Sequence, residues 1–466
     1  MVPLKRPLEI DSPMTPEERR ASLSLAGIYM LRMLGLFMIL PVFSIYARNL
    51  DDATPFLMGL AISAYGLTQA ILGIPFGMWS DRIGRKPVIT FGLLVFALGS
   101  GVAALSDSIF GVIAGRALQG SGAIAAVVMA MAADLTREEH RTKAMALIGI
   151  SIGISFAISM VTGPIVAGWV GVKGIFWLIA LLAVVGIGVI WFVVPQPGHS
   201  SFHRDTQAQP ARFADVLSNP ELLRLDFGIF ALHLILTATF VVVPLMLRDS
   251  VQLETSLHWQ VYLPVFVLSL LAMVPFVILA EKKRQMKRVF LAFIVLIAFT
   301  DAFLQWASGH LYVIGFLLFL FFTGFNLLEA TLPSMISKAA PPDLKGTAMG
   351  VYSTAQFLGA FAGGISGGWI YGAYGLSQVF LMCSMVAIAW LLVALGMSPP
   401  KYLSTLLIRI GELAADEAHL LADELRGIAG VAEAVVVAED GVAYLKIDKA
   451  LLDQDALEDL IAQAQS

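Results

Sequence analysis

A charged stretch between two apolar runs decides how this sequence folds, and it reads Gly77-Met78-Trp79-Ser80-Asp81-Arg82-Ile83-Gly84-Arg85-Lys86-Pro87. Each flanking run is long enough to cross a bilayer, which takes about 20 residues. Within the stretch, Gly84 permits a tight turn, and Arg82 and Arg85 offer forked hydrogen-bond donors that lysine cannot copy. We therefore predict a turn between two membrane-spanning helices with a more specific role than a cluster of positive charges.

Composition argues against a soluble protein. Of the 466 residues, 58% are hydrophobic and 14% are charged, so a soluble fold would have too few charged side chains to cover its surface. We expect an all-α membrane protein with twelve transmembrane helices in two six-helix halves. The apolar runs are 22–47, 55–77, 88–107, 109–133, 144–170, 174–195, 225–248, 257–280, 289–308, 311–337, 346–372 and 377–397.

Positive charges lie mainly on one side of these predicted helices. Before residue 400, the loops on the side of both termini hold 20 Lys and Arg residues, whereas the opposite loops hold three, Arg48, Lys173 and Arg248. Short cytoplasmic loops of membrane proteins carry the excess of Lys and Arg. We therefore expect both termini in the cytoplasm of a multi-pass protein.

Changes in composition divide the chain further. A Pro- and Gly-containing gap separates two halves that resemble each other faintly, as is usual in transporters whose substrate site lies between two related halves. After Pro399-Pro400 the apolar runs shorten, and the tail carries 13 acidic and 5 basic residues. The expected units are an N-terminal cytoplasmic segment 1–21, the helical half 22–195, a cytoplasmic linker 196–224, the helical half 225–397 and a soluble domain 401–466.

The loop from Gly77 to Pro87 closely resembles the signature of the major facilitator superfamily of transporters, a glycine followed by Asp-Arg-x-Gly-Arg-Lys. It differs at Trp79, where the family usually has a smaller aliphatic residue. The resemblance implies a latch that stabilises the outward-facing state, with Arg85 paired to Asp134 and Asp81 near the start of the eleventh helix. The alternative is a charge cluster that only fixes topology. The latch residues are Gly77, Asp81, Arg82, Gly84, Arg85, Lys86 and Asp134.

The fourth helix carries the run Arg116 to Ala123, which resembles the family pattern Arg-x-x-Gln-Gly-x-Gly-Ala. An arginine inside a membrane helix is costly and normally faces the bundle interior, although Arg116 could also extend to the membrane interface. We place Arg116, Gln119 and Gly120 in the substrate or proton pathway. Leu34-Gly35 with Pro41-Val42, and Gly163-Pro164, resemble in part the motifs of drug:proton antiporters.

Further polar residues lie deep in apolar runs. Arg32 is roughly 15 Å into the first helix, too deep to reach the interface easily. Possible counter-charges are Asp301 and Glu329, and Glu329 shares a helix face with Asn326, while His233 ordinarily titrates near neutrality. These residues form either a substrate pocket with a proton relay or a structural polar seam. Because arginine does not release its proton, a transported proton would be carried by Glu329, Asp301 or His233.

The substrate's charge is suggested by what the first half contains. Exporters of cationic drugs commonly place a carboxylate within the membrane in this half. Here the deep charged residues of the first half are Arg32 and Arg116. We therefore expect a site that prefers anionic or zwitterionic solutes.

The tail predicts a small α+β domain. Alternating apolar positions at 403–410, 432–438 and 443–447 indicate strands, and 412–429 and 453–464 have helical spacing. The order βαββα fits a ferredoxin-like fold. The tail lacks the Cys-x-x-Cys of the heavy-metal-associated domains that it resembles, so no metal site is expected. Its net charge suggests docking on the chain's own basic loops, 82–86 and 282–288.

Together, the helices, the motifs and the appended tail resemble YajR-type bacterial transporters of the superfamily. The resemblance implies a proton-coupled exporter of small organic molecules, working by alternating access in the bacterial inner membrane. The alternative is a membrane sensor with a transporter-like body whose tail signals. Neither catalytic constellations nor phosphate-binding loops are recognisable, so we expect no enzyme activity, no cofactor and no nucleic-acid partner. The expected partners are a small-molecule substrate, protons and the lipid bilayer.

Overall fold

The computed structural model shows a long helical bundle followed by a small α+β unit. The expected segments 1–21 and 196–224 lie partly outside the residues that it describes. Those residues are 13–196, 212–341, 344–399, 403–410, 415–438, 441–448 and 451–464.

The first half begins at a well-formed helix cap. Thr15 accepts a hydrogen bond from the backbone of Glu18, whose carboxylate accepts one from the backbone of Thr15, so two otherwise unpaired amides are satisfied. A break at Met38 and Ile39 separates the next helix, in which Pro41 cannot donate a backbone hydrogen bond. The helices are α1 (Pro16–Phe37), α2 (Leu40–Ala47), α3 (Pro55–Ile83), α4 (Arg85–Leu105), α5 (Ile109–Ser121), α6 (Ala125–Asp134) and α7 (Glu138–Phe192).

The long helix α7 consists of two segments joined at a kink. Gly171 has φ 69° and ψ 174°, which is not helical, and glycine adopts such a positive φ without a steric penalty. The kink lies between the predicted runs 144–170 and 174–195. The chain therefore turns where the sequence predicts a connection between two helices.

The second half repeats this pattern of long apolar helices. It begins with the short helix α8 (Phe213–Leu217), and a π-helical turn at Met246–Ser250 extends α9. The other helices are α9 (Pro220–Leu245), α10 (Trp259–Lys282), α11 (Met286–Leu304), α12 (Leu311–Ala339), α13 (Lys345–Tyr374) and α14 (Leu376–Leu395).

Among the described residues, nine helical segments are long and apolar enough to cross a membrane. The sequence predicted twelve spans, and the difference has three sources. Lys143–Phe192 counts as one segment despite its kink. Helix α11 contains three charged residues, Lys287, Arg288 and Asp301, and α13 is rich in glycine, which lowers its hydropathy.

Close approach of helix backbones joins the two halves. A Cβ atom added to Gly59 of α3 would lie 2.0 Å from the carbonyl oxygen of Gly364 in α13, and one added to Gly66 would lie 2.8 Å from that of Phe357. Small residues allow such approach where lipid provides no hydrophobic driving force between helices. The glycines of α3 and α13 therefore form a tight seam between the halves.

The tail has the predicted order of elements, β1 (Ser404–Arg409), α15 (Ala415–Gly427), β2 (Val431–Val437), β3 (Val442–Ile447) and α16 (Gln454–Ala464). In the described part, β3 lies between β1 and β2 and pairs antiparallel with both. Strands β1 and β2 therefore run parallel, as in a split βαβ unit. Ala443 and Leu445 of β3 pack with Leu425 and Leu457 of the two helices to form a separate core.

The tail touches the second helical half. Lys446 of β3 is buried, and its Nζ donates to the carbonyl oxygen of Lys338 at 2.8 Å. Arg284 lies 3.9 Å from Asp448. Lys338 is near the end of α12, and Arg284 lies between α10 and α11. These contacts connect the tail to the end of α12 and to the loop between α10 and α11.

Candidate substrate and proton site

The loop between α3 and α4 is built around a buried arginine. Gly84 has φ 95°, a conformation that favours glycine, and lets α4 start directly after α3. The Arg85 side chain is 1% exposed, and its Nε donates to Asp134 Oδ2 at 2.9 Å. Arg85 also hydrogen-bonds Ser80 and Asp81. The structure thus brings Arg85 and Asp134 together and ties the end of α3 to the end of α6.

Other loop residues are also engaged within the first half. Lys86 Nζ donates to the carbonyl oxygen of Val194 at 2.7 Å, so this lysine is not directed at the tail. The polar contact described for Asp81 is the one with Arg85, rather than one with the start of α13. We call this side of the bundle, with Gly84 and the tail, the loop end, and the opposite side the Arg48 end.

Arg32 lies in the last two turns of α1, near the middle of the apolar span Pro16–Ala47, and is 2% exposed. It hydrogen-bonds Gln69 of α3, and its guanidinium carbon lies 5.6 Å from the centre of the Tyr65 ring, a favourable cation–π distance. Its Nε and Nη1 have no partner among the described residues. Tyr65 in turn contacts Phe357 of the second half, with ring centroids 6.2 Å apart. Arg32 therefore lies close to the boundary between the halves.

Arg116 is more deeply enclosed than Arg32. It is fully buried and donates to Gln119 Oε1 at 2.9 Å and to the carbonyl oxygen of Ile62 at 3.2 Å. Gln119 Nε2 in turn donates to Ser100 Oγ at 2.8 Å. A Cβ atom on Gly120 would lie 2.2 Å from the carbonyl oxygen of Tyr65. These contacts hold α5 against α3 and α4. This burial excludes the alternative that the Arg116 side chain extends to the membrane interface.

In the second half, three polar side chains from three helices meet. Gln356 Nε2 lies 2.8 Å from His233 Nε2 and 3.3 Å from Glu329 Oε1. His233 Nδ1 lies 3.3 Å from the carbonyl oxygen of Ile229 and 3.9 Å from Glu329 Oε2. This pattern suits a neutral imidazole that donates from Nδ1 and accepts at Nε2. The structure thus brings His233 and Glu329 together through an amide.

The remaining predicted residues are apart from this group. Asn326 donates to Ser269 Oγ at 3.1 Å and so links α12 to α10. Asp301 is fully buried, and neither carboxylate oxygen has a hydrogen-bond partner among the described residues. Its electrostatic neighbour is Cys383 of α14. Asp301 therefore lies inside the second half and not at the group formed by His233 and Glu329.

Contacts between the halves close the Arg48 end. Arg48 forms an ion pair with Asp249 at 2.5 Å and also hydrogen-bonds Tyr371. Deeper in the bundle, Phe156 of α7 stacks against Phe266 and Phe325, with centroids 5.4 and 5.6 Å away. The Glu329 side chain lies one helical turn beyond Phe325 toward the loop end and is 30% exposed. An acid in the middle of a long helix is thus only partly buried.

Four polar residues of this region were missing from the sequence-based set. Gln69 and Gln356 supply the amide partners of Arg32 and Glu329, Tyr65 covers both arginines, and Asp226 is buried in α9. Each amide stands in an otherwise apolar run, which is a usable signal. Tyr65 and Asp226 gave none, because a tyrosine is common in membrane helices and Asp226 is near a predicted helix start.

A family model supports the reading of these helices: residues 25–364 match the model described as Major Facilitator Superfamily. The chain belongs to the major facilitator superfamily. It is 49% identical over 455 residues to the inner membrane transport protein YajR of Escherichia coli, with 97% of this chain and all of that protein covered. The expected resemblance to the superfamily and to YajR-type transporters is confirmed.

More distant comparisons agree on the superfamily fold. The class B tetracycline resistance protein of Escherichia coli is 30% identical over 39% of this chain and 45% of its own length. A bacterial homologue of the human lysosomal transporter Spinster, solved in an inward-facing and occupied conformation, aligns with a TM-score of 0.69 at 13% identity, over 82% of this chain and 97% of that one. This chain is thus a membrane transporter of the superfamily.

Proposed function

We propose that this transporter is a proton-coupled exporter of small organic molecules that works by alternating access. The observation that carries the proposal is the group formed by His233, Gln356 and Glu329, in which a partly exposed acid lies inside the second half, together with the buried Arg32 of the first half. An acid deep in a membrane-spanning helical bundle is energetically costly, and acids at such positions usually have a function. Glu329 can bind and release a proton, whereas Arg32 cannot.

Alternating access suggests how proton movement and substrate movement are coupled. With the Arg48 end closed, Glu329 is accessible from the loop end and can exchange its proton there. When the halves rock to the other arrangement, the same carboxyl faces the Arg48 end. Glu329 accepts a proton on that side, releases it on return, and the substrate moves in the opposite sense between the halves.

The substrate class proposed is a small anionic or zwitterionic molecule. Arg32 carries a permanent positive charge, and two of its nitrogen atoms have no protein acceptor among the described residues. A carboxylate or similar planar anion matches the forked donor geometry of a guanidinium. The ring of Tyr65 beside it offers an apolar surface for the organic part of the same molecule.

We further propose twelve spans with both termini in the cytoplasm of the bacterial inner membrane. The kink at Gly171 supports counting α7 as two spans, and α11 and α13 pack against the apolar helices although α11 carries three charged residues and α13 is rich in glycine. The loop end carries the excess of Lys and Arg, which favours the cytoplasmic side. Protease cleavage at the tail in inverted and right-side-out vesicles would test this orientation.

The loop from Gly77 to Pro87 is proposed as the latch of the transport cycle. Arg85 of α4 holds the end of α3 against the end of α6 through Asp81 and Asp134, so these three helices move as one body. Asp81 pairs with Arg85 while the Arg48 end is closed. We propose that it turns to the start of α13, around Gly346, when the loop end closes, since helix starts attract negative charge.

The tail, proposed as a ferredoxin-like domain, is assigned a regulatory docking role. Its contacts through Lys446 and Asp448 touch the last turn of α12 and the segment that follows α10. Helix α12 also carries Glu329, so a docked tail restrains an element that must move during transport. Lys446→Ala should loosen this restraint and change the rate of transport without preventing membrane insertion.

Proton-coupled export is tested with the purified protein in proteoliposomes. An imposed pH gradient should drive the uptake of organic anions from a panel, and each transported substrate should move protons measured by an internal dye. Glu329→Gln should abolish both signals, while Arg32→Lys, which keeps the charge but loses the fork, should weaken anion selectivity. Transport of cationic dyes alone would contradict the substrate class, and the absence of any flux would favour a sensor.

A further inference from the structure

Asp226 in α9 is a buried carboxylate that the proposed transport cycle does not yet use. It is 5% exposed, and neither of its oxygen atoms has a hydrogen-bond partner among the described residues. Burying an ionised carboxylate without a partner is far more costly than burying the neutral acid. The site therefore accommodates the protonated form, unless the bundle opens and admits water.

The position of Asp226 connects it to the group around Glu329. Asp226 and His233 are seven residues apart in α9, so they lie on the same helix face, about 10 Å apart along the axis. Asp226 is about 9 Å from the helix start at Pro220, between the loop end and His233. It lies on the route that a proton would take from the loop end to this group.

Tyr352 of α13 lies near both Asp226 and the group around Glu329. Tyr352 is buried, its hydroxyl has no hydrogen-bond partner among the described residues, and it lies within electrostatic range of both Asp226 and Glu329. It also lies one helical turn before Gln356, the amide that bridges His233 and Glu329. A hydroxyl both donates and accepts, so Tyr352 can take part in a proton relay.

Fixed charges around Asp226 do not neutralise it. On its own helix, Glu221 and Arg224 pair with each other at 2.6 Å. On the neighbouring α8, Asp215 pairs with Arg212 at 2.8 Å. From α13 the titratable neighbour is Tyr352, and the α12 and α14 residues that pack nearby on α9, at Gly228, are Leu332 and Trp390. Proton binding is thus the remaining way to neutralise Asp226 in the closed bundle.

We propose that Asp226 is a second proton-carrying residue, placed between the loop end and the Glu329 group. This inference rests on the proposed proton coupling and extends it. In the release step the proton leaves the Glu329 carboxyl, passes along water molecules that hydrogen-bond the Tyr352 hydroxyl when the bundle opens, and is accepted by the Asp226 carboxylate. Asp226 then gives it to water at the loop end and becomes ready for the next proton. No other reactant is required.

The test uses infrared spectroscopy of the full-length protein in lipid nanodiscs, because it requires no known substrate. The carboxyl stretching band of protonated acids is recorded while the pH of the medium is changed. We compare wild type with Asp226→Asn, Glu329→Gln and the matched control Asp301→Asn, which also neutralises a buried, unpaired carboxylate. Asp226→Asn and Glu329→Gln should each remove one titrating band, and Asp301→Asn should remove none.

Flux measurements add a functional readout. In proteoliposomes, Asp226→Asn should slow transport driven by a pH gradient about 100-fold, as expected for the loss of a positioned proton donor, while substrate counterflow stays unchanged. Tyr352→Phe keeps both acids and should slow proton exchange of the Glu329 band. It serves as the second test if Asp226→Asn fails to fold.

The outcomes separate this inference from the proposed function. If Glu329→Gln removes a titrating band and Asp226→Asn removes none while its gradient-driven flux equals that of wild type, Asp226 is structural and only the relay is wrong. If wild type shows neither a titrating Glu329 band nor gradient-driven flux, the proposed proton coupling is wrong, and so is the relay that rests on it.

Discussion

In the first half of the bundle the buried arginines reach protein acceptors, whereas in the second half buried carboxylates keep oxygen atoms without a partner. Arg116 donates to Gln119 and to a backbone carbonyl, while Asp226 and Asp301 have no hydrogen-bond partner among the described residues. The reason is chemical. A guanidinium cannot lose its charge and must be stabilised in place, but a carboxyl group can become neutral by binding a proton.

This difference suggests a division of roles. The first half offers fixed positive charge, which suits it to hold an anionic substrate and to keep its own helices in register. The second half offers acids whose charge can change. The Glu329 side chain is 30% exposed, more than Asp226 or Asp301. We therefore expect Glu329 to be the acid whose protonation changes during transport.

The largest effect is expected for Glu329→Gln. The amide matches the shape of the protonated acid but cannot titrate, so gradient-driven transport should fall to the level of empty vesicles. Counterflow, which needs no net proton movement, should persist. Isotope flux in proteoliposomes measures both, and gradient-driven flux at the wild-type rate would remove Glu329 from the mechanism.

A large loss of stability is expected when the paired acid of the first half is removed. Asp134→Asn removes the buried one of the two carboxylates that pair with Arg85, which costs up to about 3–5 kcal/mol by analogy with other buried pairs. Thermal unfolding in detergent measures this loss. Asp301→Asn is the matched control in the second half, since it removes an acid that has no partner.

A smaller loss is expected for Arg116→Ala. The substitution removes the hydrogen bonds to Gln119 and to the carbonyl of Ile62 and leaves Gln119 Oε1 without a partner, and a buried acceptor so left costs about 1–3 kcal/mol. Arg32→Ala removes one hydrogen bond, to Gln69, and should be less destabilising while impairing anion transport more. If both variants lost equal stability and equal transport, the proposed separation of scaffold and substrate roles would be wrong.

The smallest effect is expected for Asp301→Asn. The amide resembles the neutral acid in shape and polarity, so thermal stability and gradient-driven transport should stay close to wild type. A loss of coupling equal to that of Glu329→Gln would show that the deep interior of the second half also takes part in proton transfer. The comparison between reachable and enclosed acids would then no longer hold.

Sequence-based prediction reached the helices, the Arg85 loop and the order of the tail elements, because each rests on local pattern. It grouped Asp301 with Glu329 and His233 as possible proton carriers, with Glu329 favoured, and it expected the tail to dock on Arg82, Arg85, Lys86 and the loop 282–288. The structure places Asp301 beside Cys383 instead and engages Arg85 and Lys86 inside the first half. Membrane depth can be counted along a helix, but the face that meets a neighbouring helix cannot be read from depth alone.

The sequence by itself determined the membrane class, the superfamily signature from Gly77 to Pro87 and the chemical character of each buried charge, since all depend on composition and spacing along the chain. Only the tertiary structure decided which charges meet. His233, Glu329 and Gln356 come from three helices, and Arg32 meets Gln69 of another. Such contacts depend on how helices rotate and pack against one another, which the packing of many side chains fixes together.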